Sequence, residues 1–94
     1  MTLSERAWQQ RIVDLARLRR WLSYHTYDSR RCVPGFPDLT LVRGSRLIFA
    51  ELKTDAGRLS KPQQEWLAAL RQVPAAEVHV WRPNDWSTVQ EVLA

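Results

Sequence analysis

Apolar residues recur at helical spacing from Thr2 to Leu22, where Trp8, Ile12, Leu15, Leu18 and Leu22 make one stripe. That pattern predicts a first helix, with Thr2 or Ser4 as its cap. Leu22 to Tyr27 then reads as a strand rich in aromatic and β-branched residues. Asp28 to Pro37 is a loop holding Pro34, Gly35 and Pro37. Asp38 to Arg43 and Arg46 to Lys53 read as two further strands. Gly44-Ser45 between them has the composition of a tight hairpin turn. Thr54 to Leu59 is a polar loop, and Ser60 to Val73 is a second long helix with Trp66, Leu67, Leu70 and Val73 on one face. Pro74 stops it. Val78 to Arg82 is a last strand, and Asn84 to Leu93 a closing helix. The order α-β-β-β-α-β-α predicts an α/β fold, a mixed β-sheet flanked by helices.

Length and composition narrow the class. The chain has 94 residues, 45% hydrophobic and 26% charged. That suits one globular domain over 1–94 with a thin core, which five tryptophans help to fill. The longest apolar run, Trp66 to Leu70, is too short to cross a bilayer, and no secretory-type leader is visible, so no membrane partner and an intracellular location (the cytoplasm of a bacterial or phage-infected host) are expected. Cys32 is the only cysteine, which excludes an internal disulfide and a cysteine-based zinc cluster. Twelve of the 14 basic residues are Arg, and the formal charge is +4. Arg grips phosphate bidentately, so nucleic acid is a natural partner. Simple solubility explains the same charge.

The hairpin carries the chemistry. With Gly44 and Ser45 as turn residues, Arg43 faces Arg46, Val42 faces Leu47 and Asp38 faces Glu51. Facing side chains lie about 5 Å apart, and like charges there destabilise a sheet. A divalent cation between the two carboxylates would explain the pairing. Lys53 shares a strand face with Glu51 and could steady charge developing on a phosphate. The competing account is structural: Asp38 merely begins a strand, and Glu51 and Lys53 form a solvated face. The apolar run Leu47 to Ala50 argues against it, because such strands are buried on both faces. Glu5 continues the first helix's stripe toward this site, although Thr2-x-x-Glu5 also fits a capping box. Gln63 lies on the inward face of the second helix, although Ser60-x-x-Gln63 fits another capping box.

Gly35-Phe36-Pro37-Asp38-Leu39, Phe49-Ala50-Glu51-Leu52-Lys53 and Leu59-Ser60-Lys61-Pro62-Gln63-Gln64-Glu65-Trp66-Leu67 together resemble the VRR-NUC (virus-type replication-repair nuclease) family of the PD-(D/E)XK nuclease superfamily. The resemblance runs from about Ser4 to Arg82. It implies a restriction-endonuclease-like core, dependence on Mg²⁺ or Mn²⁺, and DNA cleavage in repair or recombination. Asp38 and Glu51 would be metal ligands, joined by the Leu52 backbone carbonyl and by Glu5. Lys53 would be the catalytic lysine and Gln63 the family's glutamine on the second long helix. The stand-alone, phage-type members that this chain resembles imply a homodimer that resolves Holliday junctions. Flap, nick or duplex cleavage, or a non-catalytic basic DNA-binding module, are the alternatives. Arg30, Arg31, Arg58 and Lys61 are candidate phosphate contacts. Arg17, Arg19 and Arg20 read as a solvated helix end, Tyr24 and Tyr27 as core or base-stacking residues, and His25 and His79 as structural. Trp81 and Trp86 read as core or dimer contacts.

Overall fold

The computed structural model describes residues 3–27 and 32–94. Its elements follow the expected order: α1 (Glu5–Leu18), β1 (Leu22–His25), β2 (Leu39–Arg43), β3 (Arg46–Leu52), α2 (Lys61–Arg71), β4 (Ala76–Trp81), a 3-10 turn (Pro83–Asp85) and α3 (Trp86–Leu93). The sheet order is β1-β2-β3-β4. The first two pairings are antiparallel, and β3 and β4 run parallel across the α2 crossover. Among the described residues no helix is long and apolar enough to cross a membrane.

Strand alternation divides the sheet's side chains between two faces. Leu39, Leu41, Ile48, Ala50 and Leu52 are buried with Trp8, Ile12, Val13 and Ala16 of α1 and Val89 and Leu93 of α3. The other face carries Phe49, which meets Phe36 edge-on, and Phe36 meets Trp66 of α2. The layers are therefore α1 and α3, the sheet, then α2. Asp38, Glu51 and Lys53 fall on the α2 face by the same alternation.

The first helix stops earlier than its apolar stripe predicts. Arg20 takes φ 68, its N–H bonds the carbonyl of Arg17, and the N–H of Trp21 bonds that of Ala16. This is a left-handed terminus of the Schellman type, a position that usually belongs to glycine. The reversal exposes Leu18 and Leu22, at 74% and 75%, and turns Trp21 inward instead. Val73 at the end of α2's predicted face is also half-exposed. Tyr24 and Tyr27 are exposed rather than core. Trp81 is buried, and Trp86 packs edge-on against Trp8 under the Arg11 guanidinium.

Candidate metal and nuclease site

The hairpin register is the one expected from the turn. Arg43 pairs with Arg46, Val42 with Leu47 and Leu39 with Ala50. One step further brings Asp38 beside Glu51. Asp38 sits just before β2 proper, and two bonds fix it there. Its carbonyl accepts from the Thr26 N–H at 2.8 Å, and its Oδ2 accepts from the Leu52 N–H at 2.8 Å. The Leu52 N–H that would otherwise be unpaired at the ladder's end thereby orients the carboxylate.

Glu51 is 1% exposed, the one buried charged residue among the described residues. Its Oε1 accepts a hydrogen bond from Gln63 Nε2 at 3.0 Å, and its Oε2 is buried with no partner. Burial pushes its pKa up to about 8; the neighbouring Asp38 carboxylate adds to this, Lys53 opposes it, and Glu5 contributes. Leaving a carboxylate oxygen buried and unpaired is expensive. The deficit is of the kind a hard cation removes, and the Asp38 and Glu51 carboxylates offer the oxygen donors that Mg²⁺ and Mn²⁺ prefer.

Gln63 performs both roles that its position allowed. Its Oε1 accepts from the Ser60 N–H at 2.8 Å, closing a capping box with Ser60, while its Nε2 reaches Glu51. One amide thus ties the start of α2 to the buried carboxylate. Glu5 is different from both expectations. Ser4 caps α1, accepting from the Ala7 N–H, so Glu5 occupies the first helical position; Thr2 lies outside the described residues. It is exposed rather than part of the buried stripe, yet it lines the same cavity as Asp38.

That cavity measures about 720 Å³, and its walls include Glu5, Asp38, Lys53 and Gln63. The segment between β1 and β2 supplies the rest through Thr26, Tyr27, Cys32, Val33, Pro34, Gly35 and Phe36. Sequence reasoning missed these residues as wall. Gly35 was the available signal: a Cβ there would stand 2.5 Å from the backbone of Pro62, so the loop crosses directly over the start of α2. Among the described residues no three side chains of His, Cys, Asp and Glu group closely enough to hold a metal. The carboxylates brought together here are therefore those of Asp38 and Glu51. Arg58 and Lys61 are exposed near the α2 N-terminus, outside the cavity wall. Arg30 and Arg31 lie outside the described residues.

The VRR-NUC domain profile matches residues 2–82. The chain belongs to the VRR-NUC family. A solved structure described as a VRR_NUC domain protein superimposes with a TM-score of 0.72 at 19% identity, covering 99% of this chain and 87% of that one. This second likeness supports the fold. No curated protein matches the chain. As a VRR-NUC domain the protein is a member of a family of nucleases, hydrolases acting on DNA.

Proposed function

We propose that this VRR-NUC domain is a divalent-metal-dependent endonuclease that hydrolyses phosphodiester bonds of branched DNA, resolving Holliday junctions as a homodimer. The observation that supports it is the buried Glu51 carboxyl beside Asp38, with one oxygen unpartnered, behind a cavity whose wall includes Asp38, Lys53 and Gln63. Asp38, Glu51 and the Leu52 carbonyl would hold Mg²⁺ or Mn²⁺, with Glu5 on the wall of the cavity in front of them. The bound cation supplies positive charge that polarises the phosphoryl oxygen and acidifies water.

The chain's own residues do the remainder. Gln63 holds Glu51 in one rotamer, and the Leu52 N–H does the same for Asp38. The Lys53 ammonium stands at the cavity wall, where it balances negative charge growing on the phosphate as water attacks phosphorus and the ester oxygen leaves. Arg58 and Lys61 supply phosphate contacts outside the reacting centre, and Arg30 and Arg31 are further candidates for phosphate contact. A junction has two equivalent strands to cut, which suits a two-fold dimer. Leu22 and Val42 pair across β1 and β2 and are both exposed, an apolar patch that a second copy would cover.

The test is cleavage of labelled four-way junction, flap, splayed and linear duplex DNA with Mg²⁺, Mn²⁺ or EDTA, beside sedimentation equilibrium. Paired symmetric nicks in the junction by a dimer are expected. Flap or duplex cutting by a monomer would replace the junction reading, and inertness on every substrate with both metals would leave a binding module.

A further inference from the structure

The β3–β4 ladder ends at Leu52, so Lys53 lies just past the point where the sheet restrains the chain. A lysine stem loses up to about 2 kcal/mol of rotamer entropy when it is held in place. Something beyond the strand must do the holding. The Lys53 N–H donates to the carbonyl of Trp81 at 3.1 Å, which fixes the backbone. The next residue, Arg82, reaches back across the chain. Its Nη1 donates to the carbonyls of both Thr54 and Gly57, each at 2.6 Å. The Gly57 N–H also donates to the Thr54 carbonyl, closing a turn. That turn folds against the lysine: a Cβ on Gly57 would stand 3.4 Å from Lys53 Cδ and 3.1 Å from Thr54 Oγ1. Arg82's own backbone is anchored separately, its N–H donating to Asp85 Oδ2 at 2.9 Å.

We propose that Arg82 is a positioning residue for Lys53, acting through the turn of residues 54–57. The claim rests on the reading of Lys53 as the lysine that serves the reacting phosphate. Both hydrogens of Nη1 are spent on carbonyls, so that nitrogen has none left for a DNA phosphate. Its effect is to press the turn onto the Lys53 stem and remove rotamers that would carry the ammonium away from the cavity. Misplacement by about 1 Å can lower a rate about a hundredfold.

The experiment measures single-turnover cleavage, DNA affinity in EDTA and amide exchange over residues 54–58 for Arg82→Ala, Arg82→Lys, Gly57→Val and Lys53→Met. Arg82→Ala should cut about tenfold or more slowly, bind DNA within about twofold of wild type, and exchange faster across the turn. Arg82→Lys should recover most of the rate, because an ammonium carries enough donors for both carbonyls. Gly57→Val leaves Arg82 in place but crowds the stem, and should slow cleavage likewise without weakening DNA binding. Full-rate cutting by Arg82→Ala, or a loss of DNA affinity matching the loss of rate, overturns the proposal. Should Arg82→Ala fail to fold, Gly57→Val decides, and full-rate cutting by that variant overturns it. Full-rate cutting by Lys53→Met instead removes the catalytic reading of Lys53 on which the proposal stands.

Discussion

A carboxyl group enclosed by protein and facing a second carboxylate keeps its proton well past the pH at which a free one loses it. Glu51 is such a group, raised from 4.5 to about 8 by burial first and by Asp38 second. Because the folded-state value is the higher one, the folded state binds the proton more tightly. The stability this contributes is complete below about pH 4.5 and is lost as pH rises through 8. Metal-free protein in EDTA should therefore become easier to unfold from pH 5 to 8, by at most about 1.4 kcal/mol per pH unit. Glu51→Gln should flatten that slope and be the more stable form at pH 8, as thermal melts across the range would show. Mg²⁺ or Mn²⁺ should restore stability to wild type at pH 8 but not to the variant; equal slopes for the two proteins would contradict the assignment. Asp38→Asn keeps an oxygen for the Leu52 N–H but removes a charge. Cleavage should fall at least about a hundredfold, while DNA binding in a gel shift holds or tightens, because a repulsive charge near phosphate is gone. Both carboxylates were legible in the sequence, since facing like charges demand an explanation. Glu5 was legible only as a residue near the site, because it opens α1 and is exposed, although its spacing continues the buried stripe.

At the scale of elements, what could be read depended on whether a turn declares itself. Gly44 takes φ 59 in the hairpin turn, and the two-residue loop sets the register that brings Asp38 to Glu51. The end of α1 declared nothing, because the left-handed position is filled by Arg20. The apolar stripe therefore ran on into Leu18 and Leu22, which the structure exposes. Gly35 and Gly44 both have positive φ but differ in surroundings. Nothing lies within 4 Å of a Cβ on Gly44, so Gly44→Ala should cost only the left-handed penalty of about 1 kcal/mol. At Gly35 the same atom meets the Pro62 carbonyl carbon and oxygen at 2.5 Å and the Gln63 nitrogen at 2.8 Å, all backbone. Gly35→Ala must push the loop off α2 and should cost about 3 kcal/mol or more in urea unfolding. Because Asp38 is three residues further on and Gln63 is one of the groups displaced, cleavage should drop with it, whereas Gly44→Ala should cut normally. Equal stabilities for the two variants would refute the close approach.

Across the whole molecule, tryptophans join the first helix region to the last elements, and no local pattern announces such links. Trp8 Nε1 donates to the Trp81 carbonyl at 3.0 Å, and Trp21 Nε1 donates to the Leu93 carbonyl at 3.0 Å. Arg43 and Arg46 lie over the Trp21 ring and donate to the last carbonyls of α3, while Arg46 also pairs with Glu77. These contacts bridge up to 73 residues of sequence, and they explain why so short a chain can fold around a thin core. They also separate stability from chemistry. Phenylalanine in place of either tryptophan keeps a ring but removes one of the two donors that each carbonyl accepts, a loss of about 1 kcal/mol. The Leu93 carbonyl belongs only to the C-terminal clamp, on the face away from the cavity. The Trp81 carbonyl also accepts the Lys53 N–H, the bond that fixes the lysine's backbone. Trp21→Phe should therefore lower the melting temperature while single-turnover cleavage at 25 °C stays at the wild-type rate. Trp8→Phe should lower both, because the Trp81 carbonyl then keeps only the Lys53 N–H, and the freed end of β4 shifts and takes Lys53 with it. If the two variants lost rate equally at matched stability, the clamp and the cavity would have to be one coupled unit.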